Sequence, residues 1–200
     1  MKIDEYQTNA VSTAVYPKKY AIIYPTIGLA GEAGETADKL ADLIVGKSKD
    51  AKETQENIIL EIGDVMWYLA TTSNDLGVSL SECLSISLGD HYDDFLDAQD
   101  QAVRITQYDV SYEVVYPVFK LFGAIGKVSE LVKKYVRDDS EIMDDIRKHR
   151  ICNAIGETFK YLSCVAFDLS IEMSWCAEKN IEKLFSRKER NVVHGDGDNR

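Results

Sequence analysis

Apolar side chains recur at every third or fourth position along most of the chain, and strict alternation of apolar and polar residues is scarce. This spacing is typical of amphipathic helices packed on a core, so the chain is predicted to be all-α. Asp4 and Ser79 stand where helix N-caps are expected, and Gly46 stands where a helix is expected to end. In the first half the pattern predicts four helices, at about 4–14, 27–45, 52–77 and 80–96.

The second half of the chain resembles the first. The segment YPTIGLAGEAGETADKL (24–40) aligns with YPVFKLFGAIGKVSEL (116–131) at a shift of 92, and IGDVMWYL (62–69) aligns with IGETFKYL (155–162) at a shift of 93. Two four-helix units in tandem are the economical interpretation, and chance similarity between amphipathic helices is the alternative. The domains predicted from this repeat are residues 1–98 and 99–200.

The chain is acidic, with 34 Asp and Glu against 23 Lys and Arg and a formal net charge of −11. This charge repels nucleic-acid polymers and anionic membranes, so neither is expected as a partner. The opening sequence MKIDEYQTNA lacks the apolar stretch of a signal peptide, and no apolar run reaches the roughly 18 residues of a membrane span. Four isolated cysteines without a CxxC pair favour reduced, buried thiols in a cytoplasmic protein over a disulfide.

The segment GLAGEAGETADKL (28–40) contains three glycines, each three residues from the next. It lacks the lysine of a P-loop and the spacing of a dinucleotide-binding fingerprint, and no strand is predicted before it. Glycine costs a helix about 1 kcal/mol relative to alanine, so three glycines in one helix need a structural reason. We interpret the segment as a helix with a thin face that another helix or a ligand can approach closely.

Two pairs of acidic residues lie on consecutive predicted helices. Glu32 and Glu35 are three residues apart, as are Glu61 and Asp64, so each pair occupies one face of its helix. Antiparallel packing would bring the pairs together in an apolar setting, where four like charges repel one another strongly. A divalent cation resolves this repulsion, and oxygen ligands without His or Cys favour Mg²⁺, or Mn²⁺, over zinc. Solvated acidic faces are the alternative.

These acidic motifs resemble those of the MazG-like, all-α nucleoside triphosphate pyrophosphohydrolases. The resemblance rests on GLAGEAGE (28–35), on EIGDVMWYLA (61–70) and on NIEKLFSRKERNVVHGDGDNR (180–200), with its N-x-x-K-L-x-x-R pattern and GDxDNR-like ending. It implies an all-helical fold, Mg²⁺ dependence and hydrolysis of a nucleoside triphosphate to the monophosphate and pyrophosphate. The metal ligands that it implies are the four acidic residues Glu32, Glu35, Glu61 and Asp64.

The second half departs from this acidic pattern. Where the first half has its four acids, the second has Ala124, Lys127, Ala154 and Glu157, which do not make a credible metal site. The first half in turn lacks the N-x-x-K-L-x-x-R pattern of the last helix. We therefore predict an intrachain MazG-like pseudo-dimer with one composite site, and a site completed by a second chain is the alternative. The duplicated pattern also resembles the dimeric all-α dUTPases, and a homodimer of such chains is expected.

The reaction requires metal ions that neutralise phosphate charge and activate a water molecule. Glu35 or Glu61 is expected to take the proton of that water, with Glu35 preferred. Asn180, Lys183 and Arg187 share one face of the last helix, and the two cations are expected to bind phosphate. A solvated helix end is the alternative for them.

Two further side chains are candidates for contacts with the nucleotide. Tyr68 lies one helical turn after the second acidic pair and could donate a hydrogen bond to a phosphate, with a core tyrosine as the alternative. Gln7 could contact a base through its amide, with a surface glutamine as the alternative. A nucleotide-binding regulatory protein with little or no turnover, and a plain helical interaction module, are the alternatives to an enzyme.

Overall fold

The computed structural model describes residues 1–47, 50–138 and 142–192. Within these ranges the chain forms eight α-helices and two short 3₁₀ helices, and the only strand-like feature is one isolated bridge between Lys2 and Asp94. The all-α prediction is therefore confirmed. The helices are α1 (Ile3–Val11), α2 (Ile23–Ile44), α3 (Ala51–Asp75), α4 (Leu80–Leu88), α5 (Phe95–Ile105), α6 (Val115–Asp138), α7 (Asp145–Asp168) and α8 (Met173–Glu189).

Capping residues set several of these helix boundaries. Ser79 accepts a hydrogen bond from the backbone of Glu82 and so begins α4, and Gly46 follows α2 with a φ of 68°, both as predicted. The predicted N-cap role of Asp4 is wrong. Asp4 lies inside the first turn of α1, and its carboxylate accepts hydrogen bonds from the backbone amide and hydroxyl of Ser81. It therefore supports the start of α4, a helix that is distant in sequence and adjacent in space.

The helix predicted at 80–96 ends earlier than its pattern indicated. α4 stops at Leu88, because Gly89 takes a left-handed conformation with a φ of 81°. The polar segment GDHYDD (89–94) then carries no apolar stripe to bury, and α5 begins at Phe95 with Asp94 as its N-cap. The boundary that was predicted between residues 98 and 99 falls inside α5.

Two buried glutamines make the same set of hydrogen bonds in the two halves. Gln7 in α1 donates to two backbone carbonyls around the α3–α4 turn and accepts from the amide of Leu80. Gln99 in α5 donates to two carbonyls around the α7–α8 turn and accepts from the amide of Met173. The corresponding positions are 92 or 93 residues apart, which is the shift between the aligned sequence segments.

A tyrosine–aspartate pair also occurs once in each half. The hydroxyl of Tyr16 donates to Asp75, which accepts a second bond from the backbone amide that precedes α2. Tyr108 and Asp168 make the same two contacts before α6. In both places the residue that donates its backbone amide has a positive φ, so the aspartate stabilises a strained backbone at the start of a long helix.

The two sets of four helices interlock through their fourth helices, α4 and α8. α2 packs along α3, α6 packs along α7, and α4 and α8 each cross to the other set, α4 against α7 and α8 against α3. Glycine permits both crossings. A Cβ on Gly63 would overlap Asn180 of α8, and a Cβ on Gly156 would overlap Cys83 and Ser87 of α4. Side chains of the last helix are therefore held directly against α3.

The buried apolar residues of all eight helices form one continuous core in the described part of the chain. All four cysteines are buried and free, as predicted. None of the described helices combines the length and the apolar character that crossing a membrane requires.

Replacement of Gly63 by alanine is expected to destabilise the protein by about 1–3 kcal/mol, because the added methyl group overpacks the α3–α8 crossing. Gly31→Ala is the matched control, since no atom lies near the position of its new methyl group. That control should stabilise the protein by about 0.5–1 kcal/mol through better helix propensity. Thermal unfolding followed by circular dichroism measures both changes. Equal melting temperatures for the two variants would contradict the close crossing.

Candidate functional site

Three carboxylates from two neighbouring helices converge on one point. Oxygen atoms of Glu32 on α2 and of Glu61 and Asp64 on α3 lie within 4.8 Å of one another. Glu61 is buried, whereas the other two are partly exposed. Their positions follow from the antiparallel packing of α2 on α3, together with the spacing of three residues on α3. Glu35, the fourth predicted ligand, is exposed on the next turn of α2 and does not belong to this group.

Basic side chains from two helices face the converging carboxylates. Lys39 of α2 pairs with Glu61, and Lys183 of α8 pairs with Asp64. Asn180 also donates a hydrogen bond to Asp64, with 2.9 Å between the amide nitrogen and the carboxylate oxygen. The site is therefore composite, because its acids come from the first half and two of its polar partners come from the last helix.

Buried contacts fix the orientation of Asn180. Its side chain is fully buried, and its carbonyl oxygen accepts a hydrogen bond of 2.9 Å from the hydroxyl of Tyr6. With that oxygen occupied, the amide nitrogen points at Asp64. Burial, followed by the nearby charge of Asp64, raises the pKa of Tyr6, so this tyrosine remains a hydrogen-bond donor.

The electrostatics of the carboxylate group show a deficit of positive charge. Burial and then the negative charges of Asp64 and Glu61 raise the pKa of Glu32 to about 8, although Lys183 opposes the shift. In addition, the Oε2 atom of Glu61 is buried and has no hydrogen-bond partner among the described residues. An unpaired buried carboxylate oxygen beside two further carboxylates fits a hard divalent cation such as Mg²⁺ or Mn²⁺.

A cavity of about 150 Å³ opens beside the carboxylates. Glu32, Asp64 and Arg187 form its charged side. Its other side is aromatic and consists of two ring pairs, each with 4.8 Å between ring centroids. The stacked pair is Tyr16 and Tyr24, and the edge-to-face pair is Trp67 and Tyr68.

The predicted substrate-binding residues lie in three environments. Tyr68 and Arg187 line the cavity, and Asn180 and Lys183 contact the carboxylate of an acid that also lines it. Gln7 is buried rather than at the surface, its amide is bonded to backbone at the α3–α4 turn, and it is not part of the described cavity lining. The tail from residue 193 to 200, which contributed to the family resemblance, lies outside the described residues.

Sequence reasoning missed four residues of this site. Trp67 packs against the core but is partly exposed, lines the cavity and donates to the hydroxyl of Thr13. Lys39 was not considered, because its distance of 22 residues from its carboxylate partner carries no sequence signal. Tyr16 and Tyr24 left a signal that was available, since tyrosines recur at the corresponding positions 108 and 116 as a second stacked pair.

The fold and the site together define an all-helical protein with a carboxylate–lysine cluster where the last helix meets the first half. No protein-family model and no solved structure matches the sequence. The chain is 43% identical over 90 residues to Gene 37 protein of Mycobacterium phage L5, a match that covers 40% of this chain and 77% of the phage protein. The chain therefore belongs to the family of that phage protein, whose name states no activity.

The raised pKa of Glu32 predicts a pH dependence of stability in the presence of EDTA. Between about pH 5 and pH 8 the unfolded carboxyl is ionised while the folded one keeps its proton, so stability should fall as pH rises. Glu32→Gln is neutral in both states and should remove this part of the loss. Its melting temperature should exceed that of the wild type by several degrees near pH 8, with the difference vanishing near pH 5.

Glu5→Gln is the control for this pH series, because Glu5 is an exposed acid in the first turn of α1. Thermal unfolding of the three proteins across the pH range gives the comparison. If the stabilisation by Glu32→Gln is the same at every pH, the carboxylates do not interact as described.

Proposed function

We propose that the protein is a Mg²⁺-dependent hydrolase that converts a nucleoside triphosphate, ribo or deoxy, to the monophosphate and pyrophosphate. The observation that carries this proposal is the meeting of three carboxylates with Lys183 and Arg187 beside an aromatic cavity. A triphosphate requires metal-holding acids and cations, and a nucleobase requires a flat apolar surface. The site offers both side by side, and its cavity of about 150 Å³ would enclose only part of the nucleotide.

We also propose that the chain is a tandem MazG-like pseudo-dimer with one site. Support comes from the hydrogen bonds of Gln7 and Gln99 and from the two tyrosine–aspartate pairs, which recur at the shift of the aligned sequence segments. Further support comes from the reciprocal crossing of α4 and α8. A homodimer of two such chains remains a prediction, which size-exclusion chromatography with light scattering would test.

Glu32, Glu61 and Asp64 would hold the metal, with Glu35 available at the exposed edge. When bound, Mg²⁺ neutralises phosphate charge and lowers the pKa of a coordinated water molecule. With the metal bound, the carboxylates would be neutralised by the metal instead of by Lys39 and Lys183. The two lysines would then be free to bind phosphate oxygens. Lys183 is the one that lies on the same helix as Arg187, so it is placed to bind the phosphates of the substrate.

The aromatic side of the cavity would hold the base. Tyr16, Tyr24, Trp67 and Tyr68 provide ring faces and edges that can stack with any base. The hydroxyl of Tyr16 and the indole of Trp67 are already hydrogen-bonded within the protein, and the hydroxyls of Tyr24 and Tyr68 interact with each other. Base preference therefore depends on the shape of this wall more than on its free polar groups.

In the proposed reaction the oxygen of a water molecule forms a bond to the α-phosphorus. The bond from this phosphorus to the oxygen that bridges it to the β-phosphate breaks. Pyrophosphate leaves with the bonding electron pair, and the proton of the water passes to a carboxylate. Glu35 and Glu61 remain the two candidates for this acceptor. Arg187, with its planar fork, would bind the charge that develops on the phosphate oxygens.

A nucleotide-binding regulator with little or no turnover is the second candidate. The contacts of Lys39 and Lys183 favour it, because two lysines already balance much of the negative charge that a metal would otherwise neutralise. Both candidates require that Mg²⁺ stabilise the folded protein, and they differ in whether pyrophosphate is released.

The proposal predicts release of pyrophosphate from at least one member of a panel of NTPs and dNTPs with Mg²⁺, and none with EDTA. Glu61→Gln should lower the rate by about 100-fold or more, since it removes a metal-binding carboxylate without changing side-chain volume. Glu35→Gln, assayed in parallel, separates the two candidate proton acceptors. Pyrophosphate is measured with a coupled phosphate assay.

Glu56→Gln is the control, because Glu56 is an exposed acid on the same helix, α3. Circular dichroism and the melting temperature of each variant establish that the fold is kept. Full turnover of Glu61→Gln would overturn the site assignment. Silence across the panel, with Mg²⁺ still raising the melting temperature, would favour the regulator.

A further inference from the structure

A second and larger cavity lies between α6 and α7, in the half without the acidic group. Its volume is about 740 Å³, against about 150 Å³ beside the carboxylates. Ala124 and Ala154 are buried in its floor, at the positions that correspond to Glu32 and Glu61 in the first half. These alanines leave open the space that two glutamate side chains fill in the first half.

Basic side chains surround this cavity. Lys120 and Lys127 belong to α6, and His149 and Arg150 belong to α7; all four are exposed. No acidic side chain in the described part of the chain forms an ion pair with Lys127 or Arg150. Within a chain of net charge −11, these side chains create a local positive potential that attracts anions.

The one carboxylate among the described lining residues is already neutralised. Glu157, which corresponds to Asp64 of the first half, pairs with Lys160 at 2.6 Å and accepts a hydrogen bond from Ser87 at 3.3 Å. Lys160 also lies over the ring of Tyr161, 4.8 Å from the centroid. Glu157 is therefore a poor metal ligand and a weak source of repulsion for an anion at this site.

The size and rim of the cavity indicate the kind of anion. Cavities that bind small molecules usually have volumes of about 300–1,000 Å³, which includes this one. Phe119 stands on the rim with 74% of its surface exposed, so its ring is accessible to another flat ring. Lys120 lies 5.2 Å from the ring centroid of Tyr161, which places its charge near the floor.

We propose that this cavity is a second binding site, for a phosphate-bearing small molecule of nucleotide size. Lys120, Lys127 and Arg150 bind the phosphates, and Phe119 packs against the ring. Lysine and arginine bind phosphate oxygens directly, so this site works without a divalent cation. The proposal is independent of hydrolysis at the carboxylate site, because it rests on a different cavity.

Isothermal titration calorimetry in EDTA at low salt tests the proposal, with inorganic pyrophosphate and ATP as probes. Both probes are expected to bind the wild-type chain, ATP more tightly, and binding should weaken as salt is added. The double variant Lys127→Ala/Arg150→Ala should weaken both probes by about tenfold or more. Phe119→Ala should weaken ATP and leave pyrophosphate unchanged, because pyrophosphate has no ring.

Lys133→Ala/Lys134→Ala is the matched control, since it removes the same charge from exposed positions of α6 that do not line this cavity. It should leave both affinities unchanged. If the two double variants lose the same affinity, the probes respond only to the overall charge of the chain, and the proposal of a defined site is overturned. Absence of binding in EDTA would overturn the proposal.

Discussion

The contact of the last helix with Asp64 is the interaction on which the site depends. Asn180 and Lys183 reach this carboxylate only because Gly63 lets α8 lie directly on α3. Asp64 is partly buried beside two further carboxylates, where an unpartnered charge would be destabilising, so the charge balance of the site and the packing of the two halves support each other. A single small residue, Gly63, therefore controls both the approach of α8 to α3 and the charge balance of the site.

The two halves show how one helical scaffold can carry opposite charge. The glutamine and tyrosine–aspartate contacts that hold the turns are the same in both, and the fourth helix crosses in both. The groove between the two long helices differs: in one half it holds carboxylates, and in the other it holds alanines surrounded by lysine and arginine. These turn contacts lie outside the two grooves and hold the scaffold, so the lining of each groove can change without loss of fold.

The sequence predicted what depends on local pattern. The helical periodicity, the N-cap at Ser79 and the end of α2 at Gly46 all follow from short-range sequence patterns. Three of the four predicted acids do converge. The role of Asp4, the partner of Lys39 and the aromatic side of the cavity were missed, because each depends on residues that are distant in sequence and meet only after packing. The glycines divide in the same way. Gly28 makes room for the ring of Tyr68, whereas Gly31 and Gly34 face open space and have no packing explanation.

The position of α8 has a consequence for the order in which this protein matures. During synthesis the ribosome releases α2 and α3, with their acids, long before the helix that carries Asn180 and Lys183. Until that helix emerges, the carboxylates of the nascent chain have Lys39 as their described cationic partner and lack those from the C-terminal helix. The composite site can therefore form only after α8 has left the ribosome, so its assembly has to wait for all of the chain between α3 and α8.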